Sequence, residues 1–220
     1  MIRYLSRFMV AFFILLLSMP THAQDTLVAT LFGEDIRLSD ISPSDAQLNE
    51  MAKMNSASKD MALAQFRHGR LAETILKKIT EDYASKQNLE IDSELVEKFK
   101  EKFGPELAAS RKESDERKEN VGEKVPQKSI DDIATEQVRH WQVNKALYEN
   151  FGGTVIFQQS DPQFPVQAYE TLLKRYQKEG KFEILNDRYS AVFWEAFEPP
   201  FSFQLSADQV DFSDPWWLTE

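Results

Sequence analysis

The chain has 220 residues, no cysteine, and a formal net charge of −10 from 36 acidic and 26 basic side chains. The missing cysteines exclude disulfides, thiolate metal sites and cysteine nucleophiles, and the excess negative charge repels nucleic acid and anionic lipid. We therefore expect no nucleic-acid partner and no stable membrane insertion.

The first 23 residues have the layout of a secretory signal peptide. Arg3 and Arg7 precede an apolar run over residues 8–17, and the small-residue site "THA" ends at Ala23. We expect cleavage after Ala23. The apolar run is shorter than the roughly 20 residues of a membrane helix, and an uncleaved anchor is the alternative interpretation. The mature chain is then periplasmic if the source cell has two membranes.

The next stretch, "LVATLFGEDIRL", alternates apolar and polar residues on both sides of Gly33. Glycine readily takes the positive φ that a tight hairpin turn needs, so the pattern predicts a β-hairpin. Two strands alone are marginally stable in water. We expect the hairpin to dock on the helices that follow.

Three helices are predicted next from apolar residues at three- and four-residue spacing. The first covers Ser58 to Asn88, the second begins at Asp92 or Ser93 and is expected to break at Gly104-Pro105, and the third covers Ile130 to Phe151. Residues 110–128 are charged and nearly free of apolar side chains, which favours a mobile connection. An exposed helix as far as Asn120 is the alternative.

Shorter elements complete the chain. "TVIF" is a predicted strand and a candidate third strand for the hairpin's sheet, and a helix, the strand "KFEIL" and a last helix, "NDRYSAVFWEAF", follow. The predicted fold class is mainly α with a small β component: an N-terminal β-hairpin packed on a helical bundle, followed by a small strand-helix-strand-helix segment. We predict a helical domain over residues 24–157 and an αβ appendage with an aromatic tail over 158–220.

The segment "DTLVATLFGEDIRLSDI" resembles the start of SurA-type periplasmic chaperones and related parvulin-class foldases. "RLAETILKKITEDYASKQNLEIDSELVEKFKEKF" and "ATEQVRHWQVNKALYENFGGTVIF" are similar to later helical segments of the same family. The resemblance covers about Asp25 to Phe157, with Phe32 standing where the family usually has asparagine. It implies a helical domain that holds unfolded polypeptides in an apolar crevice.

The family's prolyl isomerase chemistry is not expected here. Its isomerase domain carries a Gly-Gly-Asp-Leu-Gly turn and two histidines outside helices, whereas His68 and His140 fall within predicted helices and no such turn occurs. Asp131-Asp132 is best interpreted as a helix cap, and Glu195 with Glu198 as a solvated face. We predict no catalytic, cofactor or metal site, and an isomerase-related protein by homology remains the second alternative.

The resulting hypothesis is an exported, non-catalytic, chaperone-like protein that binds unfolded or partly folded polypeptides in the periplasm. The candidate binding surface lies between the first and third long helices and comprises Met61, Phe66, Leu71, Ile75, Val138, Trp141 and Tyr148. The first alternative is a dedicated binding or assembly module for one envelope protein. In that case the tail with Trp216 and Trp217 acts either as a docking peptide or as a brace on its own core.

Overall fold

The computed structural model describes residues 25–54, 58–119 and 128–218, with the side chains of residues 113–119 left out. The predicted signal peptide and residues 120–127 of the charged segment lie outside these residues. Helices make up 60% and strands 11% of the structure, which confirms the predicted fold class. No helix among the described residues is both long and apolar enough to cross a bilayer.

Eleven helices and strands define the described architecture, with one short 3-10 turn at Ala207–Gln209. In chain order they are β1 (Leu27–Leu31), β2 (Glu34–Arg37), α1 (Asp45–Met54), α2 (Lys59–Lys86), α3 (Ser93–Glu119), α4 (Ile130–Phe151), β3 (Ile156–Gln158), β4 (Asp161–Phe164), α5 (Val166–Lys178), β5 (Phe182–Ile184) and α6 (Asp187–Glu195).

The N-terminal hairpin forms a three-stranded sheet in the order β2-β1-β5. The expectation that "TVIF" supplies the third strand is wrong, because β3 pairs with β4 instead. Strand β5 buries Phe182 and Ile184 on one face and exposes Glu183 between them. That alternation suits a strand covered on one side only, and β5 pairs with β1 through Leu31 opposite Phe182.

Helix α3 continues through Gly104 and Pro105 to Glu119, so the predicted break at this dipeptide is wrong. A proline disfavours helical backbone at the preceding residue because its ring meets that residue's Cβ. Glycine has no Cβ, and Gly104 therefore lets the helix continue into Pro105. The helical alternative for the charged segment holds as far as Glu119.

One large core connects the sheet with most of the helices. Its buried side chains come from β1, β2, α2, α4, α5, β5 and α6. Residues on both sides of the boundary expected at 157 contribute to it, since β5 and α5 supply Phe182, Tyr169 and Leu172 while α2 supplies Ile75 and Ile79. A second, smaller cluster lies between α3 and α4.

Candidate polypeptide-binding site

The smaller cluster is completed by the aromatic tail, which we define as residues 211–218. Trp217 is 1% exposed and packs with Val96, Phe99, Ala134 and Val138. We call the space that it fills between the two helices the α3–α4 slot. The slot is apolar because Val96 and Phe99 lie one helical turn apart on α3, as do Ala134 and Val138 on α4.

Edge-to-face aromatic contacts hold Trp217 in the slot. Its ring centroid lies 5.4 Å from that of Phe99, with the ring planes 86° apart, and 6.3 Å from that of Trp141 at 72°. Trp216 packs against Phe103 at 5.7 Å on the rim. Such aromatic pairs contribute about 0.5–1.5 kcal/mol each beyond the burial of their surface. The tail is therefore a well-packed occupant of the slot.

Side chains, rather than a neighbouring strand, bind the tail backbone. Lys102 Nζ donates to the carbonyl oxygen of Trp217 at 2.7 Å, and Lys145 Nζ donates to that of Phe212 at 2.9 Å. Gln163 both donates to the Asp211 carbonyl and accepts from its N–H, each at 2.7 Å. These side chains hold the irregular backbone of the tail beside the apolar slot.

Lysines on α3 beside the slot are paired with acidic side chains. The Glu94 carboxylate, 2.6 Å away on the same helix, raises the pKa of Lys98, and Asp214 of the tail contributes in the same direction. Asp131 and Glu97 raise the pKa of Lys100, which connects α3 to the first turn of α4. The tail thus brings acidic side chains close to a lysine-bearing helix.

Three buried polar atoms in and beside the slot have no hydrogen-bond partner within the described part of the chain. They are the indole nitrogens of Trp141 and Trp217 and the side-chain oxygen of Gln142. An unsatisfied buried donor or acceptor costs about 1–3 kcal/mol. The tail therefore covers the apolar surface of the slot, but these three polar atoms stay without a hydrogen bond within the described part of the chain.

The seven residues predicted for the binding surface do not form one groove. Leu71 and Ile75 are 1% and 0% exposed in the main core. The Tyr83 hydroxyl on α2 donates to the Ala146 carbonyl on α4 at 3.2 Å, which closes the space between those helices. Met61 is 55% exposed.

The remaining four candidates lie in two places. Phe66 lines an open surface concavity of about 590 Å³ beside Ser42 and Arg70. Val138, Trp141 and Tyr148 lie on α4 and are brought together by the tail. Tyr148 packs on Phe212 with ring centroids 5.1 Å apart. The structure therefore suggests that the binding surface is the side of α4 that the tail contacts.

Sequence reasoning missed a polar network beside this surface. His140 Nε2 lies 2.8 Å from Asp161 Oδ2, Asn144 Nδ2 donates to the same oxygen at 2.7 Å, and the Tyr169 hydroxyl donates to Asn144 Oδ1 at 2.9 Å. Burial, with the Asp161 charge, raises the pKa of the Tyr169 phenol, which stays protonated and donates. The network ties α4 to β4 and α5, and the only signal for it in the sequence is polar residues on an otherwise apolar helix face.

Metal chemistry has no visible support within residues 25–54, 58–119 and 128–218. No group of three His, Asp or Glu side chains there is arranged to hold an ion. His140 hydrogen-bonds only to Asp161 within the same ranges. The described arrangement holds an aromatic segment of the chain itself, through ring packing and through side-chain hydrogen bonds to its backbone.

Comparison with protein families, with curated proteins and with solved structures finds no match to this chain.

Proposed function

We propose that this chain is an exported, non-catalytic, chaperone-like protein of the periplasm that binds unfolded or partly folded polypeptides. One observation supports it most directly: an aromatic segment of the chain's own sequence, which ends in a turn at residues 215–218, occupies the α3–α4 slot through aromatic packing and lysine–carbonyl hydrogen bonds. Backbone carbonyls occur in every polypeptide, and apolar side chains are exposed in any unfolded one. A slot that binds these groups suits a chaperone-like role.

The relationship to SurA-type chaperones is part of this proposal. Its support is the quoted sequence resemblance over about Asp25 to Phe157 and an N-terminal hairpin followed by long helices. Isomerase chemistry is not included, because the sequence lacks the Gly-Asp-Leu-Gly turn and the early strand histidine of the parvulin pattern.

Aggregation of an unfolded outer-membrane protein, followed by light scattering on dilution from urea, tests the function. At a stoichiometric ratio the wild-type protein is expected to suppress scattering. Trp141→Ala, on the wall of the slot, is expected to suppress it less than Trp194→Ala, which removes a tryptophan packed on the main core. Full scattering in the presence of the wild-type protein would contradict a chaperone-like role.

A dedicated module for one envelope protein is the second candidate, and the filled slot favours it. General clients cannot enter while Trp217 is 1% exposed in that space. Crosslinking in the periplasm followed by pull-down separates the two candidates. A general chaperone is expected to recover many unfolded chains and to protect unrelated clients. A dedicated module recovers one partner and leaves unrelated clients unprotected.

A further inference from the structure

We propose that the α3–α4 slot is a binding site for an acidic partner segment with adjacent bulky aromatic side chains, and that the tail is a releasable competitor for it. This inference rests on the proposed function, since it names the partner chemistry and the regulation of the same slot. The occupant seen in the structure, "DFSDPWW" at residues 211–217, provides the template for that chemistry.

Aromatic recognition is the first requirement for a partner. The slot surrounds Trp217 with Phe99, Trp141 and Val138, and its rim holds Trp216 against Phe103. A smaller apolar side chain would leave part of this space empty, and voids in a packed apolar cluster are destabilising. The slot therefore selects two neighbouring large rings over single aliphatic side chains.

Charge supplies the second requirement. Lys102 and Lys145 donate to tail carbonyls, so their charges lie beside the bound backbone. Asp211 has its pKa lowered chiefly by Ser213, with a further contribution from Lys145, and Asp214 acts on Lys98. Glu94 and Glu149 also lie beside Lys98 and Lys145, so the attraction is local. These lysines nevertheless give an acidic segment a favourable contact that the net charge of −10 does not.

Release of the tail is suggested by how it is held. Gln163 and the two lysines bind its backbone through side chains, and no described strand pairs with residues 211–218. Trp217, although 1% exposed, has an indole N–H without a partner in the described chain, as does Trp141. A partner that displaced the tail and supplied an acceptor to the Trp141 N–H would gain a hydrogen bond that the tail does not make, and the released Trp217 N–H could bond to water.

Competition can be measured with a fluorescent peptide of residues 208–220 and the full-length chain carrying Trp217→Ala. A tethered competitor acts at an effective concentration in the millimolar range. The peptide is therefore expected to bind the variant at least about tenfold more tightly than the wild type. A peptide with alanine in place of both tryptophans is expected not to bind. Asn in place of Asp211 and Asp214 should weaken binding about threefold at low salt, since exposed charges interact most strongly there.

Two outcomes overturn the proposal. One is absence of peptide binding to a Trp217→Ala chain whose circular dichroism matches the wild type, because the tail is then a fixed brace. The other is equal affinity for both proteins, because the peptide then binds elsewhere. In the Trp217→Ala background, Lys102→Met removes a donor that the peptide backbone would use and is expected to weaken peptide binding. Lys100→Met is its matched control, since Lys100 pairs with Glu97 and Asp131 instead of the tail.

Hydrogen exchange of the wild-type chain covers the case in which Trp217→Ala does not fold. The Leu218 N–H, bonded to the Pro215 carbonyl at 2.8 Å, is expected to exchange at least about 100-fold faster than core amides of α4, because local opening requires less free energy than global unfolding. Equal rates overturn tail release.

If the variant binds the peptide while neither protein suppresses aggregation, the proposed chaperone function fails and the slot proposal stands. If the wild-type protein suppresses aggregation and the variant does not bind the peptide, the proposed chaperone function stands and the slot proposal fails.

Discussion

Phe32 turns the N-terminal hairpin with a φ of +50°, a left-handed conformation that aromatic residues rarely adopt. Gly33 follows at +83°, so both turn residues have the positive φ that a type I′ turn requires. The Phe32 ring packs edge-on against Tyr176 with centroids 6.2 Å apart, and Lys181 Nζ lies 5.8 Å from its centroid. These contacts offset the backbone strain, so the tight hairpin forms with phenylalanine at its first turn position.

Substitution of Phe32 separates the strain from the contacts. Phe32→Ala keeps the left-handed strain and loses the aromatic packing, so we expect the free energy of unfolding to fall by about 1–3 kcal/mol. Phe32→Asn loses the same packing but relieves roughly 1 kcal/mol of strain, so it is expected to be about 1 kcal/mol more stable than the alanine variant. Urea unfolding followed by far-UV circular dichroism measures both. Equal stabilities would show that the turn is not strained.

Single residues also mark the limit of prediction from this sequence. His140 falls within a predicted helix, and the sequence gives no reason to connect it with Asp161. Their 2.8 Å contact exists because β4 returns the chain to the side of α4 that carries Asn144. A hydrogen bond across 21 residues depends on how elements pack. Local spacing contains no information about it.

At the scale of elements, predictions succeeded where capping chemistry was present. Helix α4 has the bounds Ile130–Phe151 that the apolar spacing predicts, because Ser129 and Asp132 form a capping box and Gly152 ends the helix at a φ of +61°. Strand β4 was missed because Pro162 argues against a strand. The docked tail has no periodicity at all, and its place in the slot follows from shape and aromatic surface alone.

Substitution of Gly104 in α3 is expected to change the free energy of unfolding in opposite directions in the presence and in the absence of Pro105. With Pro105 present, Gly104→Ala is expected to destabilise the chain, because the new Cβ meets the proline ring. Apart from the two chain neighbours and the nearby backbone of α3, no atom lies within 4 Å of that Cβ. In a Pro105→Ala background the same substitution is expected to stabilise the chain by about 1 kcal/mol through helix propensity. Pro105→Ala alone is expected to stabilise it by restoring a helical hydrogen bond.

A double-mutant cycle from urea unfolding tests this pair. The interaction free energy between residues 104 and 105 is expected to exceed about 1 kcal/mol, as is found for residues in direct contact. Amide protection around Glu101 is expected to rise in both variants that lack the proline. Additive effects of the two substitutions would mean that the glycine does not accommodate the proline.

At the scale of the whole molecule, the structure joins parts that the sequence places in two regions. The expected boundary near residue 157 follows a double glycine and a change from long to short elements. Strand β5 nevertheless pairs with β1, and Tyr176 of α5 donates to Asp82 of α2 at 2.6 Å. Burial and this hydrogen bond raise the pKa of Tyr176 to about 12. Sequence patterns identify elements, whereas the pairing of β1 with β5 depends on contacts about 150 residues apart, which local periodicity does not encode.

One shared core implies one cooperative unit, and Phe182 is the residue at which to test it. It is 1% exposed and packs with Phe193 and Trp194. Phe182→Ala is expected to cost about 3–5 kcal/mol. Because every 1.4 kcal/mol is a factor of ten, the slowest amides should exchange more than about 100-fold faster. In a single unit that factor is the same in α2 and in α5. Val192→Ala, at a side chain that is 41% exposed, is the control. It is expected to leave amide exchange unchanged in both α2 and α5. Acceleration confined to α5, β5 and α6 would instead establish two independently unfolding parts, with the pairing of β1 and β5 as a weak contact between them.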